Sequence, residues 1–205
     1  RDQRRQVLEV LFNAGGKMID SSPMYGRAEA VVGTLLREMK ARDKAFIATK
    51  VWTSGAAAGI AQMQSSSEKM AAPTIDLMQI HNMAGWQKVT PVLEEYKAKG
   101  KFGWIGITDY RTSMFPEMMQ AMRTGVFDTI QIPYNLGDRE AAQEILPLAA
   151  ELNIGVLVMT PLCPIFDRSR LLNVVQQHDV SFLEPYGIRT AGQALLAYVL
   201  ANQHV

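Results

Sequence analysis

Short apolar runs alternate with amphipathic stretches along most of the chain. Six runs rich in Ile, Val and Met predict strands over 17–20, 45–50, 75–80, 103–108, 128–132 and 154–159. Their middles lie about 25 to 30 residues apart, the size of one strand-plus-helix unit. The segments between them carry helical spacing. Val89, Val92, Leu93 and Tyr96 recur at i, i+3, i+4, i+7, and Val31, Val32, Leu35, Leu36 and Met39 form a second stripe. Gly15-Gly16 predicts the stop of the first helix. Thr190 with Gln193 three residues on predicts a capping box that opens the last one. Ser65-Ser66-Ser67 reads as a polar helix face. Residues 160–189 read as a long connection with a short helix near 169–177, and loops of that length in a compact domain are usually functional.

The strands are near-continuous apolar runs, as expected when both faces of a parallel sheet are covered. Six such repeats fit either an open doubly wound sheet or a (β/α)8 barrel. A dinucleotide-binding doubly wound sheet calls for a G-x-G-x-x-G turn after an early strand, and the chain has none. Gly100, Gly103 and Gly106, spaced by three, flank or lie within a predicted strand instead. We therefore expect an α/β fold of the TIM-barrel type, one barrel domain over residues 1–205. Only six of eight strands are found, so the barrel is expected to be incomplete in this chain. It opens on a helix and closes at His204-Val205, where another strand would start.

Composition narrows the classes. Lys and Arg total 21 and Asp and Glu 20 in 205 residues, a formal charge of +1. That balance offers no footprint for nucleic acid or an anionic membrane. One cysteine, Cys163, precludes an internal disulfide, and three scattered histidines give no zinc-binding spacing, so no metal is expected. No apolar run reaches the roughly 20 residues that span a bilayer. The first residue is Arg1 rather than Met, which leads us to expect an upstream segment. A cytoplasmic location is expected, with a signal peptide left open.

Polar residues at strand ends change the picture. Met18-Ile19 leads into Asp20, Phe46 to Thr49 into Lys50, and Leu77 to Ile80 into His81; Tyr25 lies five residues past Asp20. In a parallel barrel, side chains at the carboxyl ends of strands converge on the face where chemistry is done. An acid, a phenol, an amine and an imidazole meeting there suit proton transfer to a carbonyl oxygen. Tyrosine could supply the proton, and a nearby ammonium lowers its pKa from about 10. Lys50 is the candidate ammonium, Asp20 its counter-ion, and His81 the group that orients the carbonyl oxygen. Singly, each residue has a plainer reading as a cap, a solvated amine or turn packing. Trp52, Met83 and Trp86, just past the lysine and histidine strands, are candidates for an apolar substrate pocket.

These residues carry a resemblance. Met18-Ile-Asp-Ser-Ser-Pro-Met-Tyr-Gly26 resembles the aldo-keto reductase signature, Ile47-Ala-Thr-Lys-Val51 the family's lysine strand, and Asp76-Leu-Met-Gln-Ile-His-Asn82 its histidine strand. The resemblance implies a (β/α)8 barrel of which this chain carries strands two to seven. It implies NADPH-dependent reduction of small-molecule aldehydes and ketones. Tyr25 becomes the general acid, with Asp20, Lys50 and His81 in support. For the cofactor it points to Thr108 and Asp109, where the family usually has a Ser-Asn pair, to Gln131, and to Met159 in place of an aromatic ring. Asp109 keeps an acceptor but lacks the amide donor. The basic residues that grip the adenosine 2′-phosphate follow the family's eighth strand, so the choice of NADP over NAD is unreadable here.

Two alternatives stay open at this stage. One is a non-catalytic relative that binds cofactor or a partner protein. The other is a Schiff-base aldolase with Lys50 as nucleophile.

Overall fold

The computed structural model describes residues 2–164 and 170–205. Chain contacts divide it into two units, 1–106 and 107–205.

The first unit begins with α1 (Asp2–Asn13), which stops as its glycines predict. Gly15, at φ +82°, donates to the carbonyl of Phe12, and Gly16 donates to that of Leu11. This paired arrangement closes a helix through a residue in the left-handed region, where glycine meets no Cβ penalty. Strand β1 (Met18–Asp20), helix α2 (Ala28–Glu38), β2 (Phe46–Val51), α3 (Ala56–Met70), β3 (Ile75–Ile80) and α4 (Trp86–Ala98) follow in alternation. β4 (Phe102–Thr108) runs across the boundary between the units. The strands lie in the order β1-β2-β3-β4. β1 pairs with β2 in parallel with Asp20 opposite Ala48, and β2 pairs with β3 in parallel with Lys50 opposite Gln79.

Both helical stripes meet the core. Leu35 and Leu36 of α2, and Val89, Val92 and Leu93 of α4, are buried. The serine run of α3 does not behave as a polar face throughout. Ser66 is fully buried, and its hydroxyl has no hydrogen-bond partner among the described residues. The i, i+3, i+4, i+7 row of Gly59, Met63, Ser66 and Met70 is the buried row of that helix, and Ser66 falls on it. α2 and α3 approach closely at Gly33. A Cβ there would come within 2.0 Å of the Lys69 carbonyl oxygen.

The second unit continues β4 into β5 (Thr129–Pro133) and β6 (Gly155–Met159). β5 and β6 pair in parallel from Thr129↔Gly155 to Pro133↔Met159. Helices α5 (Phe115–Met122) and α6 (Ile145–Glu151) connect the strands, and α7 (Arg170–Gln176) and α8 (Ala191–Leu200) follow them. Thr190 and Gln193 form the capping box at the start of α8. Residue 169, where the sequence opens the short helix, lies outside the described residues. All six strands fall within two residues of their predicted limits. The fold is the α/β type anticipated: six parallel βα repeats of the (β/α)8 pattern.

Candidate active site

The four residues singled out in the sequence all lie in the first unit, at the carboxyl ends of β1, β2 and β3. Strand register explains their meeting. Asp20 is the last residue of β1 and stands opposite Ala48. Lys50 lies two residues beyond Ala48, and so on the same face of the sheet. Its Nζ reaches Asp20 Oδ2 at 2.5 Å and the Ser21 carbonyl oxygen at 2.9 Å. Thr49, between them, faces the opposite way. Its hydroxyl donates to the buried Glu29 carboxylate of α2 at 2.7 Å.

Tyr25 sits in the loop from β1 to α2. Its ring meets that of His81 edge-on, with centroids 5.9 Å apart, and Lys50 Nζ lies over its face, 5.3 Å from the centroid. Lys50 is 1 % exposed and His81 6 %, whereas Tyr25 is 48 % exposed. The cluster is therefore closed beneath and open at the phenol. His81 Nδ1 and Ser22 Oγ are 3.0 Å apart, and Ser22 Oγ also accepts the Met24 backbone N–H at 3.3 Å.

The electrostatics depart from the expectation in one respect. Lys50 does not leave the phenol below its ordinary value. Burial, and then the charge of Asp20, push the Tyr25 pKa up. Burial pushes the Lys50 ammonium down, opposed by the charge and hydrogen bond of Asp20 and then by Glu29. An ammonium bonded to a carboxylate presents little net positive charge to a third group, so the pull on the phenol is largely cancelled.

Chain direction reverses sharply after His81. Asn82 and Met83 adopt φ of +53° and +56°, and Gly85 follows at +58°. Non-glycine residues held in that region cost roughly 1–3 kcal/mol each and cluster at functional sites. A Cβ on Gly85 would lie 2.7 Å from Ser54 Cα, so the loop after β3 rests directly on the loop after β2. That contact brings Trp52 to the histidine, with ring centroids 6.3 Å apart. Trp52 is 46 % exposed. Met83 is buried, and Trp86 forms the first turn of α4, its carbonyl accepting the Thr90 hydroxyl at 2.6 Å. Of the three pocket candidates, Trp52 is brought against the tetrad by its ring contact with His81.

In the second unit, Thr108 ends β4 and is fully buried, as is Asp109 after it. Both Asp109 oxygens are engaged by Arg111. Oδ1 accepts the Arg111 backbone N–H and Nε, each at 2.9 Å, and Oδ2 accepts Nη2 at 2.7 Å. The Asp109 backbone N–H donates to the carbonyl of Gln131, a buried residue of β5. Met159 ends β6 half-buried. Thr160 follows at φ +55°, and its buried hydroxyl has no partner among the described residues.

Three participants escaped the sequence reading. Gln79 donates from Nε2 to Asp20 Oδ1 at 3.1 Å, while its Oε1 is buried without a partner among the described residues. Its signal was a polar residue interrupting an apolar strand two places before His81. Ser22 was hidden inside a loop motif. Glu29 looked like an ordinary residue in the first turn of a helix. Among the described residues no group of three or more His, Cys, Asp or Glu is placed to hold a metal ion. None of their helices is long and apolar enough to cross a membrane.

Residues 1–196 match the model of the aldo/keto reductase family. The chain belongs to that family. It is 28 % identical over 174 residues to the aldo-keto reductase YhdN of Bacillus subtilis, covering 77 % of this chain and 51 % of that one. It is 28 % identical over 207 residues to the methylglyoxal reductase YeaE of Escherichia coli, covering 97 % of this chain and 71 % of that one. The chain thus spans only about half the length of the first of these relatives. Among solved structures, an aldo/keto reductase from Klebsiella pneumoniae in complex with NADP and acetate superposes with a TM-score of 0.78. The match is 27 % identical and covers 98 % of this chain and 73 % of that one.

Proposed function

We propose that this chain carries the catalytic residues of an NADP-dependent carbonyl reductase, with Tyr25 as the acid that protonates the substrate oxygen. Its six strands stand for the second to seventh of the family barrel, within one barrel domain. The observation that carries the proposal is the cluster in which Lys50 bonds Asp20 while Tyr25 packs against both Lys50 and His81.

The carbonyl oxygen accepts hydrogen bonds from the Tyr25 hydroxyl and from His81. Ser22 Oγ can accept the Met24 N–H and donate its own proton to His81 Nδ1, and we assign it that role. With that assignment the imidazole proton lies on Nε2, the nitrogen that donates to substrate. As charge develops on the oxygen, Tyr25 transfers its proton, and Lys50, 5.3 Å from the ring centroid, offsets part of the Asp20 charge that opposes the phenolate. Solvent reaches Tyr25 and reprotonates it, since its ring is half exposed. Lys50 itself is surrounded by acceptors, Asp20 Oδ2 and the Ser21 carbonyl. Those contacts aim the Lys50 amine at Asp20 and Ser21, whereas an aldolase nucleophile must be aimed at a substrate carbon. Trp52, Met83 and Trp86 line the apolar side of the substrate pocket. The substrate is a small carbonyl compound, a class consistent with the methylglyoxal reductase among its relatives.

When bound, NADPH supplies the hydride to the carbonyl carbon. The donors on β4 and β5 and just past β6 fit such a group: the Thr108 hydroxyl, the Gln131 amide and the Thr160 hydroxyl, which has no partner among the described residues, with Met159 ending β6. Asp109 is the exception, because Arg111 occupies both of its oxygens. NADP is preferred because the Klebsiella structure contains it; NAD is the alternative.

Tyr25→Phe tests the reading. It removes the proton and keeps the ring against His81. A positioned acid contributes roughly 10²–10⁴-fold, so reductase activity of the full-length enzyme should fall at least about 100-fold with cofactor affinity unchanged. Near wild-type turnover, with chemistry rate-limiting, would falsify the assignment.

A further inference from the structure

A groove of about 410 Å³ runs between α1 and α2 in the first unit. Its walls include Val7, Val31 and Leu35, Arg4 and Arg27 lie along it, and Tyr25 is part of its lining. Small-molecule sites span roughly 300–1,000 Å³, and this one is within that range. Among the described residues no acidic side chain lines it.

Arg4 and Arg27 supply the charge along this groove. Neither guanidinium has a hydrogen bond or ion pair among the described residues. Arg5, one position along α1, does pair, with Nη2 2.7 Å from Glu38 Oε2. The carboxylate nearest in sequence to Arg27 is Glu29, in the first turn of α2. It is buried and bound to the Thr49 hydroxyl, so it does not neutralise the groove. The start of α2 adds the partial positive charge of a helix N-terminus. Between the arginines lies apolar surface: Val7 is 66 % exposed, and the buried Leu35 also contributes to the wall. Two free cations bordering an apolar cleft match a ligand that is anionic at one end and apolar at the other.

We infer that this groove binds a small amphipathic anion, a carboxylate carried on a short apolar tail. Each guanidinium can engage a carboxylate, bidentately where the geometry allows. The tail lies along Val7, Val31 and Leu35, where each buried methylene adds roughly fourfold in affinity. Tyr25 lines the groove, and its ring also meets that of His81. Occupancy therefore reaches the phenol assigned to catalysis. Binding itself does not depend on the reductase reading.

The test is calorimetric titration of the full-length protein with octanoate, with octan-1-ol and acetate as neutral-tail and charge-only probes. Saturable one-to-one binding is expected, with a dissociation constant on the order of 0.1–1 mM. The Arg4→Gln/Arg27→Gln protein should bind octanoate at least about tenfold more weakly at an unchanged melting temperature. Octanol and acetate should each bind at least about tenfold more weakly than octanoate. Val31→Glu, which puts a carboxylate in the groove, should abolish binding. Tyr25→Phe should retain it, which separates a failure of this proposal from a failure of the catalytic one. The inference is overturned if octanoate does not bind, or if it binds the double variant as tightly as wild type. Octanol or acetate matching octanoate, or undiminished binding to Val31→Glu, would overturn it equally.

Discussion

The ammonium of Lys50 lies over the face of the Tyr25 ring, 5.3 Å from its centroid, while its proton donors point to Asp20 and the Ser21 carbonyl. A cation over a ring face is held by the ring quadrupole as well as by charge. The consequence is a division of labour. Asp20 opposes the burial that lowers Lys50, and in the proposed reaction Lys50 would offset part of the Asp20 charge that disfavours the Tyr25 phenolate.

The pH dependence follows from the two directions. Lys50 is pushed below its ordinary 10.5 and Tyr25 above its ordinary 10.0, so the separation between an ordinary phenol and an ordinary ammonium is narrowed from both sides. Carbonyl reduction should fall as pH rises through the lowered Lys50 value. For folding, the unfolded chain holds the Lys50 proton up to 10.5, while the native chain releases it earlier. The unfolded state binds more protons in that window, so the Lys50 contribution makes stability rise with pH there. Tyr25 acts with the opposite sign above 10.0. A pH–rate profile of kcat/KM checks the first point; an alkaline limb that begins only above 10.5 would contradict it.

Ser22→Ala should loosen the histidine without touching substrate. It removes the oxygen 3.0 Å from His81 Nδ1, the contact we assign to holding the imidazole tautomer. Partners that orient a functional histidine typically contribute about 10–100-fold, so kcat/KM should drop by about tenfold or more. Nitrogen NMR of His81 should report a proton on Nε2 in the wild type and a mixture in the variant. An unchanged tautomer in Ser22→Ala removes the argument.

Trp52→Ala should raise KM for bulky aromatic aldehydes more than for small ones, because the indole lies 6.3 Å from the His81 ring with nearly half its surface open. Steady-state kinetics across an aldehyde series decide it. Equal effects on large and small substrates would make Trp52 rim packing only.

Gly33→Ala should destabilise the fold by about 1–3 kcal/mol, since the methyl group forces α2 and α3 apart. The obstacle is backbone: the Lys69 carbonyl oxygen at 2.0 Å and Met70 atoms at 2.8 Å. Urea unfolding measures this, and stability equal to wild type would show that the helices can separate freely.

Strand positions, helix stripes and both helix ends at Gly15-Gly16 and Thr190 were legible in the chain because they follow from neighbours within a few residues. Asp20, Lys50 and His81 were legible for the same reason, each a polar residue closing an apolar run. The buried face of α3 was misjudged at Ser66, where the helical row, and not residue polarity, decides burial.

What the sequence alone determined about this protein is its alternation of βα units and the identity of the groups at the strand ends. Both are encoded by local periodicity, two for strands and 3.6 for helices. Partnerships were decided only in three dimensions. Parallel register put Gln79 beside Lys50 and within reach of Asp20, the turn after β1 placed Ser22 against His81, and Arg111 closed on Asp109. The direction of the Tyr25 pKa belongs with these. It depends on burial and on ångström-scale distances to two opposite charges, which no local pattern in the chain specifies.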